Sequence, residues 1–198
     1  MTEFDEKYWT NRWKTEDTGW DLGAPSTPME NYIRQLRNKK TKILIPGAGN
    51  AYEGLLLHEL GFSNTFILDI SPEPLREIAA KHKEIPSSRL LLDDFFKLND
   101  TFDLILEQTF FCAIDPSLRR EYFEKCHSLL NPGRKLAGVL FNDAFNADHP
   151  PFGGYANEYK PLFEDLFTVH VYEPCYNSIK PRMGREWFMI LIKKETTR

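Results

Sequence analysis

Two glycines flanking a single residue, Gly47-Ala48-Gly49, close the apolar run Lys42-Ile43-Leu44-Ile45-Pro46. Lacking Cβ atoms, they let the backbone approach a ligand closely, and a helix starting near Ala51 would aim its unpaired amides at the same spot. Asp69 stands 22 residues after Gly47, at a strand end where a carboxylate can accept both hydroxyls of a ribose. Asp94 and Phe95 close a further strand, where a carboxylate can accept the exocyclic amine of an adenine while an aromatic ring covers its face. This set fits an adenosine without any phosphate. The dinucleotide fingerprint needs glycine at position 52, which is Tyr52, so the turn is less committed to a pyrophosphate. The plainer alternatives are an ordinary strand-to-helix turn for the glycines and helix capping for Asp69, although Ser71 is better placed to cap.

Trp9, Trp13 and Trp20 add a second signal. The W-x-x-x-W spacing puts the first two on one helix face. They read either as a hydrophobic flap over the sheet edge or as a lid against a cationic ligand such as a sulfonium. A desolvated cation over tryptophan gains about 2 kcal/mol.

The elements that must position these residues follow from the apolar periodicity. Strands are predicted at Lys42–Pro46, Thr65–Ile70, Arg89–Leu92, Phe102–Glu107, Lys135–Phe141, Phe167–Tyr172 and Glu186–Ile192. Asn50, with Glu53 three residues on, is expected to cap a helix whose inner side carries Leu56, Leu57 and Leu60 before Gly61 stops it. Ser71-Pro72 opens the next helix, with Leu75, Ile78, Ala79 and His82 at helical spacing. Asp115-Pro116 starts a third, with Leu118, Tyr122, Phe123, Cys126, Leu129 and Leu130 inward and Asn131-Pro132-Gly133 as its stop. A loop rich in Asp, His, Pro and Gly runs from Asn142 to about Tyr155. Alternating β and α elements predict an α/β fold: one doubly wound, mainly parallel, seven-stranded sheet. A single domain over 1–198 is expected, with residues 1–30 as a lid over the ligand crevice.

Composition narrows the partners. Lys and Arg number 25 against 29 Asp and Glu, a net charge of −4, so no overall positive field exists to hold a nucleic acid or anionic lipid. No apolar run reaches the length of a spanning helix, and the N-terminus lacks a signal-peptide pattern, so a membrane partner is not expected. Three cysteines with no C-x-x-C spacing indicate neither a disulfide framework nor a zinc site, and fit the cytoplasm.

Trp9-Thr10-Asn11-Arg12-Trp13, Ile45-Pro46-Gly47-Ala48-Gly49, Asp69, Asp94-Phe95-Phe96, Phe102-Asp103-Leu104-Ile105 and Phe110-Phe111-Cys112-Ala113-Ile114-Asp115-Pro116 together resemble the thiopurine S-methyltransferase superfamily, and within it the plant halide and thiol methyltransferases. The resemblance spans about Trp9 to Lys194. It implies a class I, Rossmann-like methyltransferase using S-adenosylmethionine and releasing S-adenosylhomocysteine. It further implies that Trp9, Trp13 and Trp20 cover the cofactor, Gly47 and Gly49 line its methionine part, Asp69 holds the ribose, and Asp94 with Phe95 holds the adenine. Gln108 falls where thiopurine enzymes carry arginine and the plant enzymes tyrosine, and is expected among the cofactor contacts. His149-Pro150-Pro151-Phe152 is similar to the family's G-P-P-aromatic loop, with histidine for glycine and phenylalanine for the plant enzymes' tyrosine. A monomer is expected by the same likeness.

Methyl transfer from a sulfonium to a thiol, bisulfide, thiocyanate or halide is an in-line displacement that an apolar, positioned site favours without a catalytic dyad. No general base is assigned from sequence. Phe152 and Tyr155 are expected as acceptor-pocket walls, Arg182 or Arg185 as an anion anchor, and Cys112 as packing. Asp143 follows the fifth strand without a matching ligand cluster, so no metal is expected. The competing classes are a nicotinamide oxidoreductase, a methyltransferase for another small acceptor, and a non-catalytic module that binds the adenosyl ligand.

Overall fold

The computed structural model describes residues 4–195. Seven strands form one sheet in the order β3-β2-β1-β4-β5-β7-β6: β1 (Ile43–Pro46), β2 (Thr65–Asp69), β3 (Leu90–Leu92), β4 (Phe102–Gln108), β5 (Leu130–Phe141), β6 (Phe167–Pro174) and β7 (Glu186–Lys193). The first five pair parallel, while β7 runs antiparallel between β5 and β6. The sequence reversal from β1 to its neighbours β2 and β4 opens a crevice at their carboxyl ends, where Gly47, Asp69 and Gln108 all lie.

Both faces are covered, which is why the central strands read as unbroken apolar runs. On one face Ile43, Ile45, Leu104, Leu106 and Ala137 pack against α2 (Thr27–Gln35) and α3 (Tyr52–Glu59). Alongside them Ile67 meets Leu75 and Ile78 of α4 (Pro72–Lys81). On the other face Leu44, Phe66, Ile105 and Leu136 meet Tyr122, Phe123, Cys126 and Leu129 of α5 (Arg119–Leu129). Neighbouring residues along each strand thus serve opposite layers, as the pleat requires. Before the sheet lies α1 (Glu6–Lys14), and α6 (Ala156–Tyr159) follows the long loop after β5.

Two local expectations change. The α3 helix is not capped by Asn50: Ala51 occupies the cap position in a left-handed conformation, φ 53°, and no side chain caps it. The strand expected from Lys135 begins at Leu130, because Asn131-Pro132-Gly133 bends within an extended segment instead of ending a helix outside the sheet. Of residues 1–30, those from Thr27 on belong to α2, which buries Pro28, Met29 and Ile33. Residues 1–3 of that segment lie outside the described residues.

Candidate functional site

Between β1 and α3 the chain turns through three left-handed residues, Gly47 (φ 58°), Gly49 (φ 52°) and Ala51. A Cβ on Gly47 would fall 2.3 Å from the Phe110 ring, so only glycine lets that ring close on the turn. Gly49 N–H donates to Asp69 Oδ2 at 3.2 Å, and Ser71 N–H donates to Oδ1 at 2.8 Å. The carboxylate at the end of β2 therefore ties the glycine turn to the start of α4. Asp69 is only 7% exposed, and burial pushes its carboxyl up to about 6 against the lowering effect of these hydrogen bonds.

The tryptophans form one cluster over this turn. Trp9 and Trp13 stand one helical turn apart on α1, and each meets Trp20 edge to face, with centroids 5.7 and 5.9 Å apart. The indoles of Trp13 and Trp20 come within 3.7 Å of the Cβ position of Gly49. Asp5 caps α1 by accepting from the Lys7 and Tyr8 amides. The segment is held down at three points: the Thr10 and Ser71 hydroxyls pair at 2.9 Å, Asn50 Nδ2 donates to Asp21 Oδ2 at 2.8 Å, and Arg182 Nη2 donates to the Trp20 carbonyl at 3.3 Å. Arg12 stacks its guanidinium 4.9 Å from the Trp20 ring, on a cation–π site.

Two cavities meet at the end of β4. A cleft of about 430 Å³, open to solvent, runs between Trp20, the Gly47–Asn50 turn, Glu53 and Gln108. A smaller, tighter space is lined by Gln108, Thr109, Cys112, Phe141 and Glu186. Gln108 and Thr109 line both. Ser26 Oγ donates to Gln108 Oε1 at 2.7 Å, which fixes the amide's orientation and leaves its buried Nε2 without a partner among the described residues. A buried N–H group in that state costs free energy until a ligand atom accepts from it.

The other expected residues divide. Asp94, half-buried, accepts from the Phe96 amide at 2.9 Å and faces Lys97 at 3.2 Å. Phe95 turns its ring inward and stacks it on Tyr122, with centroids 5.5 Å apart. It is 3% exposed, and Phe110, packed between Phe95 and Gly47, is the half-buried ring beside the turn. Phe152 is buried against Phe4 and donates its N–H to the Cys112 carbonyl at 2.8 Å. Tyr155 is exposed at the start of α6. Arg182 is buried in an ion pair with Glu186, Nη1 to Oε1 3.4 Å. Arg185 pairs with Asp143. Burial pushes the Cys112 thiol up to about 12, so it stays protonated and inert.

Three residues escaped the sequence reading. Glu107, fully buried at the end of β4, accepts from the Phe110 and Phe111 amides at 2.8 and 3.0 Å and from Tyr122 Oη at 2.6 Å. It shapes the turn that carries Phe110. Its signal was present, a carboxylate closing the run Leu104-Ile105-Leu106. Arg119 donates to the Gly153 carbonyl at 2.9 Å and anchors the loop bearing Phe152. Glu186, 3% exposed, lines the smaller cavity, and its buried Oε2 has no partner among the described residues. Nothing local in the sequence marks either of these two.

A glycine turn that no Cβ could occupy, a strand-end carboxylate beside it, an aromatic roof and an unpaired amide N–H fit an adenosyl amino acid. The fold has solved counterparts. The CcbJ methyltransferase from Streptomyces caelestis superposes with a TM-score of 0.74 at 13% identity, covering 98% of this chain and 100% of that one. A Burkholderia thailandensis 1,6-didemethyltoxoflavin N1-methyltransferase, solved with S-adenosylhomocysteine, gives 0.73 at 16% identity, covering 96% and 87%. Sheet order and crevice thus define a class I S-adenosylmethionine-dependent methyltransferase. By sequence, residues 4–195 match the profile of thiopurine S-methyltransferase, and the chain belongs to that family. It is 28% identical over 197 residues to a probable thiol methyltransferase 2 of Arabidopsis thaliana, covering 94% of this chain and 84% of the relative. A thiocyanate methyltransferase 1 of Brassica oleracea is 25% identical, covering 92% and 83%. A thiopurine S-methyltransferase of Vibrio vulnificus is 21% identical, covering 92% of each.

Proposed function

We propose that this enzyme methylates a small soft nucleophile, a thiol, bisulfide, thiocyanate or halide, held in the smaller cavity. The observation that carries this reading is the pair of cavities sharing the Gln108–Thr109 wall. The larger, roofed by Trp20, takes the cofactor, and the smaller, tightly walled, leaves room only for a small acceptor group. The thiol and thiocyanate methyltransferases among its relatives point the same way.

When bound, S-adenosylmethionine supplies a methyl group on a sulfonium, activated for displacement. The residues around it bind and orient. Asp69 accepts the ribose hydroxyls, and Asp94 with the Phe95 backbone receives the adenine edge, while Phe110 covers its face. Gly47 and Gly49 admit the methionine part, toward which Gln108 Nε2 donates. Trp9, Trp13 and Trp20 close the site against water, and positive charge that disappears in the reaction is favoured by such a dry enclosure. Alignment supplies most of the acceleration, on the order of 7–11 kcal/mol for a well-held pair. On the acceptor side Phe152 braces the Cys112 backbone beneath the pocket, Arg182 holds the wall, and Tyr155 flanks the entrance. We place the activity in the cytoplasm, where three unpaired cysteines persist, and in a monomer, as the likeness to the thiol and thiopurine methyltransferases suggests. A net charge of −4 gives nucleic acid no purchase.

The test is a headspace assay: purified protein, S-adenosylmethionine and, separately, iodide, bisulfide and thiocyanate, against Asp69→Ala as control. Enzyme-dependent methylated volatile supports the reading. Tight S-adenosylhomocysteine binding with no product from any soft nucleophile would overturn it.

A further inference from the structure

Within the smaller cavity the polar groups are not equivalent, and their commitments single one out. Glu107 has both oxygens occupied, by the Phe110 and Phe111 amides and by Tyr122 Oη. Cys112, from the turn after β4, keeps its proton, because burial holds its thiol near 12. Gln108 presents an amide nitrogen, which donates and cannot take a proton. The wall contributed by β5, Val139 to Phe141, is apolar. Glu186 alone in this lining presents a buried oxygen, Oε2, with no partner among the described residues. Its Oε1 faces Arg182, whose Nη2 in turn is taken by the Trp20 carbonyl.

We propose that Glu186 is the proton acceptor for the incoming nucleophile, and that the site is thereby built for protonated thiols, hydrogen sulfide or a small R–SH, over proton-free anions such as iodide and thiocyanate. This rests on the reading of the smaller cavity as the acceptor site. An S–H group satisfies Oε2 on arrival, whereas a halide would meet a carboxylate oxygen with no proton to share. Arg182 offers a halide no free cation, being already matched by Glu186. Bonds and protons balance. As the acceptor sulfur bonds to the methyl carbon, that carbon's bond to the departing sulfur breaks and its electron pair leaves with that sulfur. The S–H proton passes to Glu186 Oε2 and on to solvent, and no oxidant or reductant is needed.

The experiment compares kcat/KM for ethanethiol and for iodide in the wild type, Glu186→Gln and Glu186→Asp, with S-adenosylhomocysteine binding followed by calorimetry to verify fold and cofactor site. Glutamine preserves an oxygen toward Arg182 but removes the proton acceptor. The thiol-to-iodide ratio is expected to fall by about 10²-fold in Glu186→Gln, the usual worth of a positioned base, and to recover in part in Glu186→Asp. A second readout needs no turnover: the ultraviolet thiolate absorbance of ethanethiol added to the protein with S-adenosylhomocysteine, followed against pH. Glu186→Gln should displace the pH at which that signal rises. An unchanged ratio and an unchanged thiolate titration would overturn the proposal while leaving the soft-nucleophile reading intact, as would a wild type that prefers iodide to thiol. Absence of transfer to either acceptor, with S-adenosylhomocysteine still bound, would overturn both.

Discussion

Arg182 Nη2 lies 3.3 Å from the carbonyl oxygen of Trp20, joining the segment before the last strand to the N-terminal tryptophan segment across 162 residues of chain. The same guanidinium faces Glu186 at 3.4 Å. Replacing Arg182 by Met therefore releases that segment and leaves a buried carboxylate without its counter-ion. Removing one member of a buried pair costs about 3–5 kcal/mol, which denaturant unfolding will read. S-adenosylhomocysteine affinity should fall as well, and Arg182→Lys should recover only part, lacking the two-pronged fork.

Asp69→Ala should weaken S-adenosylhomocysteine binding by at least about tenfold in calorimetry, since a hydrogen bond to a charged group contributes roughly 1.5–3 kcal/mol. It also removes the acceptor shared by Gly49 and Ser71. Asp69→Asn keeps one acceptor oxygen and should be the better folded of the two. Equal affinity for wild type and Asp69→Ala would show that the carboxylate does not touch the ligand.

Gly47→Ala should lower both stability and cofactor affinity, because the new Cβ would overlap the Phe110 ring at 2.3 Å. Phe110→Ala removes the overlap but not the strain of a left-handed alanine, about 1 kcal/mol. The double variant should thus be less destabilised than the sum of the singles, a coupling that a double-mutant cycle measures directly. Strict additivity would rule out the contact.

Burial raises Glu107 from 4.5 to about 7 and Asp69 from 3.8 to about 6. Each folded-state value exceeds its unfolded one, so the folded chain binds more protons between them. The stabilisation is complete below about pH 4 and is lost as pH rises through 6 to 7. For Glu107 the change across that window is about 3 kcal/mol. Glu107→Gln should flatten the decline in unfolding free energy between pH 5 and 7, measured by urea titration. An undiminished slope would place the proton elsewhere.

The sheet was legible because parallel strands sheathed on both faces must be apolar throughout, and their ends are marked by the first residue that breaks the run, such as Gly47, Asp69 or Glu107. All seven strands and the helices α3 to α5 are present in the expected order, with β5 starting earlier than periodicity placed it. Asn50 misled because a cap needs an extended backbone, and here the chain is coiled left-handed at Gly49 and Ala51, sending the Asn50 amide to Asp21. Adjacent aromatics in Asp94-Phe95-Phe96 carry no sign of which ring turns inward, and it is the Phe95 ring that does so. Arg119 and Glu186 were illegible for a deeper reason. Arg119 meets Gly153 34 residues away, and Glu186 gains its meaning only when β7 returns antiparallel beside β5. Local pattern carries no record of such closures.

The rings of Phe152, Phe4, Tyr8, Trp9, Trp20 and Trp13 form an unbroken edge-to-face ladder with centroid spacings between 5.1 and 5.9 Å. At such separations excitation absorbed by the phenylalanines and Tyr8 drains into the indoles, and Trp20 is the rung that borders the open cleft. The cluster is therefore also an antenna: filling the cleft changes the polarity beside Trp20, one of the three indoles that share the collected light. With three of the four tryptophans on this ladder, the protein's own fluorescence should report occupancy of the cleft without any dye attached.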